Sequence, residues 1–329
     1  KGEKKTRKDE DKTDLTALIA GLDLTGDALR NYLIDNVNLA AMANYYAGLT
    51  MTANMDCCHK NFYAYRDTNG TGEWWFLPWD VDLTFGRNWI KTLTYFDDTM
   101  HPQNALFAGG GNKLTKALYA ALPEFKSMYL RRLRTLMDEL LQAPDTPASD
   151  LRYEKRIDEL LAQIGEDGAT DHAAWPTWGT DQTMEVAAGI LKTDFLAPRR
   201  EFLYQTQGVA NGGPIPDAQI DTVVIFGDFD ASPGRPEEAW LTVENPNEFA
   251  VDLSGWQVTG DIAYTFRPGT VLPASTTIYL SPDVAAFRAR TLPPSGGLGL
   301  MVQGGYEGTL VQAGTLILLD ADGIPARQQ

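Results

Sequence analysis

Apolar residues recur at three-to-four spacing from Leu15 to Leu49, with Leu29, Leu33 and Val37 followed by Leu39, Met42, Ala43 and Tyr46. That period predicts amphipathic helices, with Thr25 and Asp27 as caps. The polar stretch 50–60 ends the run. The pattern then changes to Asn61-Phe-Tyr-Ala-Tyr-Arg66, the Gly-rich Asp67-Thr-Asn-Gly-Thr-Gly72 and Glu73-Trp-Trp-Phe-Leu-Pro78, which reads as two aromatic strands of a β-hairpin. Over 112–207 the helical period returns. Leu114, Leu118, Leu122 and Phe125, then Tyr129, Leu133, Leu136 and Leu140, then Ile157, Leu160, Leu161 and Ile164 each mark one apolar face. At residues 208–216 the chain turns to Gly-Val-Ala-Asn-Gly-Gly-Pro-Ile-Pro, a linker by composition. Short β-rich segments follow at 222–226, 239–244, 256–258, 264–266, 277–280, 298–301 and 316–319, separated by Gly, Pro, Asn and Asp clusters. Their spacing predicts an all-β sandwich of about 100 residues. The expected fold class is α+β, divided as a lead-in (1–14), an α-rich domain with a hairpin (15–207), a linker (208–217) and a sandwich (218–329).

A length of 329 residues agrees with two domains, since one core rarely grows past roughly 250–300 residues. The balance of 28 Lys+Arg against 44 Asp+Glu, a net charge of −16, excludes a general nucleic-acid binder, because phosphate backbones are held by basic stripes and the body of the chain has none. Metal cations and basic partners fit better. The first fourteen residues mix six basic and five acidic side chains without an apolar one, so they read as a solvated lead-in. No run of about 18 apolar residues exists to span a membrane. The opening at Lys1, with neither initiator Met nor signal peptide, reads as the interior of a longer precursor. Cys57 and Cys58 are adjacent, too close for an ordinary disulfide loop and without the partners of a zinc site, so they are expected as small apolar fillers beside a packed turn.

The hairpin carries the chemistry. A turn centred near Asn69-Gly70 sets position 61 opposite 78 and 59 opposite 80, which brings Asn54-Met-Asp56 beside Trp79-Asp80-Val-Asp82. Asp56, Asp80 and Asp82 with the amide of Asn61 would then supply the oxygen donors that a hard cation such as Mg²⁺ or Mn²⁺ requires. The order Asp56-x-x-x-x-Asn61, hairpin, Asp80 also matches phosphoryl-transfer sites, where an Asp orients the acceptor hydroxyl, an Asn holds a metal and a later Asp bridges metal to phosphates. The purely structural alternative is that Asp56 caps a helix, Asn61 closes a turn and Asp80 ends a strand. Elsewhere His59, His101 and His172 are scattered and no Gly-x-Ser-x-Gly elbow exists. Gly109-Gly-Gly111 could cradle phosphate or serve as a loop, Trp175 and Trp178 read as packing residues, and Arg199-Arg200 as either an acidic-substrate contact or a solvated, salt-bridged helix end.

Two segments resemble a known family, the CotH-like (spore coat protein H) atypical kinases. They are Asn54-Met-Asp-Cys-Cys-His-Lys-Asn-Phe-Tyr-Ala-Tyr-Arg-Asp67 and Trp75-Phe-Leu-Pro-Trp-Asp-Val-Asp-Leu-Thr-Phe-Gly86, and weaker likeness extends over about 15–207. The resemblance implies an exported or cell-surface bacterial protein kinase using ATP with Mg²⁺ or Mn²⁺. It implies Asp56 as catalytic aspartate, Asp80 and Asn61 as metal ligands and Trp74 as a surface for the adenine. Asp82 either binds metal or holds a neighbouring loop. Kinase-like folds also place a β-rich lobe with a phosphate-binding Lys ahead of this region, whereas Lys1, Lys4, Lys5, Lys8 and Lys12 lie in a charged run without strands. The expectation is therefore an α-rich C-terminal lobe, with kinase activity belonging to the full-length form.

The β-rich part resembles a lamin-tail domain over about 218–325, through Trp240-Leu-Thr-Val-Glu-Asn-Pro-Asn, Val251-Asp-Leu-Ser-Gly-Trp-Gln-Val258, Tyr264-Thr-Phe-Arg-Pro-Gly-Thr-Val-Leu-Pro273 and Gly314-Thr-Leu-Ile-Leu-Leu-Asp-Ala-Asp-Gly323. That family implies an immunoglobulin-like sandwich used for attachment. Asp228 with Asp230, or Asp320 with Asp322, could hold Ca²⁺. The leading expectation is transfer of the ATP γ-phosphoryl group to Ser/Thr hydroxyls of an exported protein substrate. The alternatives are a non-catalytic surface or coat assembly scaffold and a metal-dependent hydrolase using the same carboxylates.

Overall fold

The computed structural model describes residues 3–54, 56–87, 100–103, 106, 111–176 and 183–326. Of the positions singled out above, Gly109, Gly110 and Trp178 lie outside them.

Helices α1 (Thr13–Gly21), α2 (Gly26–Asn36) and α3 (Leu39–Met51) open the fold. Thr25 stands at the N-cap of α2 with extended backbone, but its side chain makes no capping bond. Asn38 caps α3, its Oδ1 accepting from the Ala41 amide at 2.9 Å, a signal the apolar pattern does not carry. Leu33, Met42, Ala43 and Tyr46 are fully or almost fully buried. They meet Leu118 and Leu122, at the end of α4 (Lys113–Ala121), and Phe125, Tyr129 and Leu133 of α5 (Pro123–Leu136) in one core. The expected stripe Ile157, Leu160, Leu161, Ile164 lies on α6 (Arg152–Ala174), which buries no residue. It faces α7 (Met184–Ile190), and the two line a groove of about 360 Å³ beside Asp82, Thr84 and Phe85. A π-helical stretch (Leu191–Leu196), α8 (Ala197–Glu201) and a second π-helical stretch (Phe202–Thr206) continue from α7 without a break.

Between the two helical groups, β1 (Phe62–Arg66) and β2 (Trp74–Pro78) form the expected antiparallel hairpin, but one residue out of the expected register. Phe62 pairs with Pro78 and Arg66 with Trp74. The reason is the turn. Instead of a tight turn at Asn69-Gly70, Asp67 closes a wider loop, its carbonyl accepting from the Gly72 amide at 2.8 Å and its carboxylate from the Thr71 amide at 3.0 Å. Phe62 stacks on Phe76 at 4.1 Å on the core-facing side.

The C-terminal part is β-rich. β3 (Ile225–Asp230), β4 (Trp240–Asn245), β5 (Val251–Asp252), β6 (Gln257–Gly260), β7 (Ile262–Thr265), β8 (Val271–Leu272), β9 (Thr276–Ser281), β10 (Met301–Gly304), β11 (Glu307–Gly308) and β12 (Leu316–Leu319) make two four-stranded sheets, ordered β10-β9-β4-β3 and β11-β7-β6-β12, plus the pair β5-β8. Leu241, Val243, Ile278 and Leu280 from the first sheet meet Val258, Ile262, Tyr264 and Leu318 from the second, the sandwich arrangement. The strand expected at 298–301 instead begins at Met301, because Pro293, Pro294, Gly296, Gly297 and Gly299 hold the preceding residues in turns. α9 (Val284–Arg288), capped by Asp283, is too short to show a period.

The two parts share a charged joint. Arg131 and Arg132 of α5 are buried, donating to the Ala250 carbonyl at 2.9 Å and pairing with Asp252 at 3.2 Å. Arg288 of α9 reaches the other way, to Glu73 at 2.8 Å and to the carbonyls of Ile34 and Asp35. Gly269 sits where a Cβ would lie 2.0 Å from the Ala40 carbonyl oxygen and has φ +87°, so only glycine fits this close approach. Within residues 208–217, Ile215 is fully buried in the helical core.

Candidate active site

The loop after α3 is fastened at every few residues. The buried Asn54 donates its amide to the Leu49 carbonyl at 2.9 Å and accepts from the Asp56 amide at 3.0 Å. Asn112, the cap of α4, donates to the Cys58 carbonyl at 3.1 Å. The turn after Asp82 closes on the same loop through the Phe85 amide and the Thr52 carbonyl at 2.6 Å. Ala53, Asn61, Asp80 and Phe85 all have positive φ. Such residues cost about 1–3 kcal/mol each and persist where the surroundings fix them. Gly86, at φ +72°, lies where a Cβ would come within 2.7 Å of Phe195 and 2.9 Å of the His101 amide.

Asp56 and Asn61 are in direct contact, the Asn61 amide nitrogen donating to Asp56 Oδ2 at 2.9 Å and to its carbonyl at 3.2 Å. Asp56 Oδ2 also takes the Lys60 ammonium at 2.7 Å. The observed hairpin register explains that lysine's place. The Trp79 amide donates to the Asn61 carbonyl at 3.1 Å, and one step further the register sets Lys60, rather than His59, across from Asp80. The Lys60 ammonium is held protonated above its ordinary range, first by its hydrogen bond to Asp56 and then by the charges of Asp56, Asp80 and Asp82. Three carboxylates therefore surround one ammonium. Asp80 and Asp82 are exposed.

As donors, these carboxylates and the Asn61 amide oxygen suit Mg²⁺ or Mn²⁺. Among the described residues, however, no three acidic, His or Cys side chains stand close enough together to form a ready ligand set. The chemistry fits a hard cation, while the arrangement is that of an anionic cluster closed by its own lysine.

Other expected residues fall elsewhere. Trp74 is 8% exposed within the helical core, its carbonyl accepting from the Asn38 amide at 2.9 Å, so it anchors the hairpin. Trp79 is the exposed indole beside Asp80. Arg199 and Arg200 are buried, which removes both the substrate contact and the solvated helix end. Arg199 donates to the Thr50, Met51 and Pro102 carbonyls, closing the C-terminus of α3. Burial draws its guanidinium down to about 10. Arg200 pairs with Glu154 at 2.8 Å, the salt bridge within the lobe. Cys57 and Cys58 are not free apolar fillers. They are joined to each other as a disulfide, a link between neighbours that closes no chain loop. The two Asp pairs proposed for Ca²⁺ are turned inward to their own loops: Asp320 accepts from the Asp322 and Ile324 amides at 2.9 Å, and Asp230 from the Ser232 amide at 3.1 Å.

The apolar pattern does not reveal Lys60 or the joint arginines. The signal for Lys60 was present as the only basic residue between two acidic segments of the site, but it was assigned the wrong register.

A family model described as CotH kinase protein matches residues 1–203. The match takes in the hairpin, the 54–61 loop and the surrounding helices, and stops short of the sandwich. No curated protein matches the chain.

Proposed function

The chain belongs to the CotH kinase protein family, and from that membership we propose that it forms the catalytic half of an ATP-dependent protein kinase acting on Ser/Thr hydroxyls of exported proteins. The observation that carries this reading is the Asp56–Asn61 contact set against Asp80 across the hairpin. Asp56 accepts the hydrogen bond of the acceptor hydroxyl, orients it and receives its proton. Asn61, through its amide oxygen, with Asp80 and Asp82 would hold Mg²⁺ or Mn²⁺, which supplies charge neutralisation for the ATP phosphates when bound. Catalysis comes mainly from positioning and electrostatics. Trp74, held in the core, sets the hairpin on which Asp80 is mounted.

A surface or exported location is supported by the family and by the Cys57–Cys58 disulfide, which suits an oxidising compartment. Among the described residues no helix is long and apolar enough to cross a membrane. The sandwich, with its lamin-tail resemblance, serves as an attachment module. Titration with Mn²⁺ and ATP tests the assignment. Asp80→Ala should abolish nucleotide binding that depends on the metal, and Asp56→Ala should keep it. The second reading, a non-catalytic assembly scaffold, is favoured by the unassembled ligand set, and it predicts no such binding in any of the three proteins.

A further inference from the structure

Lys60 is the one side chain of the site that neither the motif order nor the metal chemistry assigns. Its ammonium sits 2.7 Å from Asp56 Oδ2, its side chain is 54% exposed, and the charges of Asp80 and Asp82 act on it as well as that of Asp56. An exposed lysine on a four-carbon stem is a mobile point charge, unlike a guanidinium locked in a fork. Crowded carboxylates need a cation, and here the chain supplies one.

We propose that Lys60 is a resident counter-ion that a divalent metal displaces, and that its ammonium then moves onto the phosphates the metal brings. Resting on the kinase reading, the proposal adds a positioning residue to it. Two cations cannot share the same carboxylates without repelling each other, so metal entry at Asp80 and Asp82 weakens the hold on Lys60. Its departure frees Asp56 Oδ2, the oxygen it occupies, to accept the acceptor hydroxyl. In the transfer itself the hydroxyl oxygen bonds to the γ-phosphorus while the bond from that phosphorus to the bridging oxygen of ADP breaks. The hydroxyl proton passes to Asp56, ADP leaves with the electron pair of the broken bond, and Lys60 offsets charge on the phosphoryl oxygens. Without ligand, the same lysine keeps Asp56 paired.

The competition gives a sign that a supporting role for Lys60 does not. Removing a structural residue weakens binding, whereas removing a competitor strengthens it. The test is the affinity of the chain for Mn²⁺ alone, without nucleotide, in wild type, Lys60→Met and Lys60→Arg. Lys60→Met should bind Mn²⁺ about tenfold or more tightly than wild type, the factor that about 1.4 kcal/mol of lost competition produces. Lys60→Arg should stay near wild type, and the unfolding midpoints of both variants should confirm the fold. In the presence of Mn²⁺ the order reverses, with Lys60→Met binding ATP more weakly than Lys60→Arg. Equal or weaker Mn²⁺ affinity in Lys60→Met, including no detectable binding in either protein, overturns the proposal. The Mn²⁺ measurement does not depend on turnover. A chain that gains Mn²⁺ affinity in Lys60→Met but transfers no phosphate would keep the counter-ion and lose the kinase reading, and the two failures stay separate.

Discussion

Replacing Arg288 by Met should destabilise the protein in a strongly pH-dependent way. Arg288 spans the joint, its guanidinium 2.8 Å from Glu73 Oε1 and also bonded to the Ile34 and Asp35 carbonyls. Glu73 is 5% exposed and stands at the head of β2, the strand that leads to Asp80. Breaking a buried pair by removing one partner costs about 3–5 kcal/mol, because the other charge is left uncompensated. At about 2 °C per kcal/mol, the lower figure for large chains, the melting temperature falls by roughly 6–10 °C near neutral pH. The sign with pH follows from Glu73. Burial raises its carboxyl above the ordinary 4.5, and Arg288 is the largest influence pulling it back. A carboxyl raised in the folded state contributes stability that is present below its unfolded value and lost as pH rises through its folded value. Without Arg288 the carboxyl rises further, so Glu73 takes up a proton at higher pH and escapes the penalty. Thermal unfolding of wild type and Arg288→Met at about pH 7.5 and about pH 5 should therefore show the larger gap at the higher pH. Adding Glu73→Gln should restore most of the loss at neutral pH. An equal gap at both pH values, together with a double variant no more stable than the single one, would refute the reasoning.

Two further outcomes follow from buried groups. Arg199→Lys should lower the urea midpoint nearly as much as Arg199→Met, because an ammonium cannot reproduce the fork that serves the Thr50, Met51 and Pro102 carbonyls. Each carbonyl left unpaired costs about 1–3 kcal/mol, and a wild-type midpoint in Arg199→Lys would show that the fork is dispensable. The denatured but unreduced chain should show no reactive thiol and the reduced chain two, as the Cys57–Cys58 link requires. Thiols titrating before reduction would contradict that link.

The parts of the fold that were legible in the sequence are those with a long, regular period. The faces built on Leu33, Met42, Leu118, Phe125 and Leu133 became the helical core, and the alternating segments after 218 became two sheets. Short pairs such as Val251–Asp252 and Glu307–Gly308 carry no alternation to read. The hairpin was legible and its register was not, since the Asp67 side chain, rather than the Asn69-Gly70 pair, decides the turn. A slip of one residue exchanges what stands opposite Asp80, which is why His59 was expected where Lys60 is found. The arginines of α5 and α9 looked like solvated charge. Their partners are Ala250, Asp252 and Glu73, more than a hundred residues away in the chain, and no local pattern reports such distant pairing. Arg199 was misread for the same reason, since only the folded chain brings the end of α3 to it.

The central claim is that Asp56 serves phosphoryl transfer. It is tested most directly by incubating the full-length protein and its Asp56→Ala variant with labelled ATP and Mn²⁺ across a range of acceptor proteins. The account predicts label on Ser/Thr in the wild-type reaction and none with Asp56→Ala, although the variant still binds the nucleotide. Full transfer by Asp56→Ala would contradict the assignment of Asp56, and no transfer by either protein would contradict the kinase reading itself.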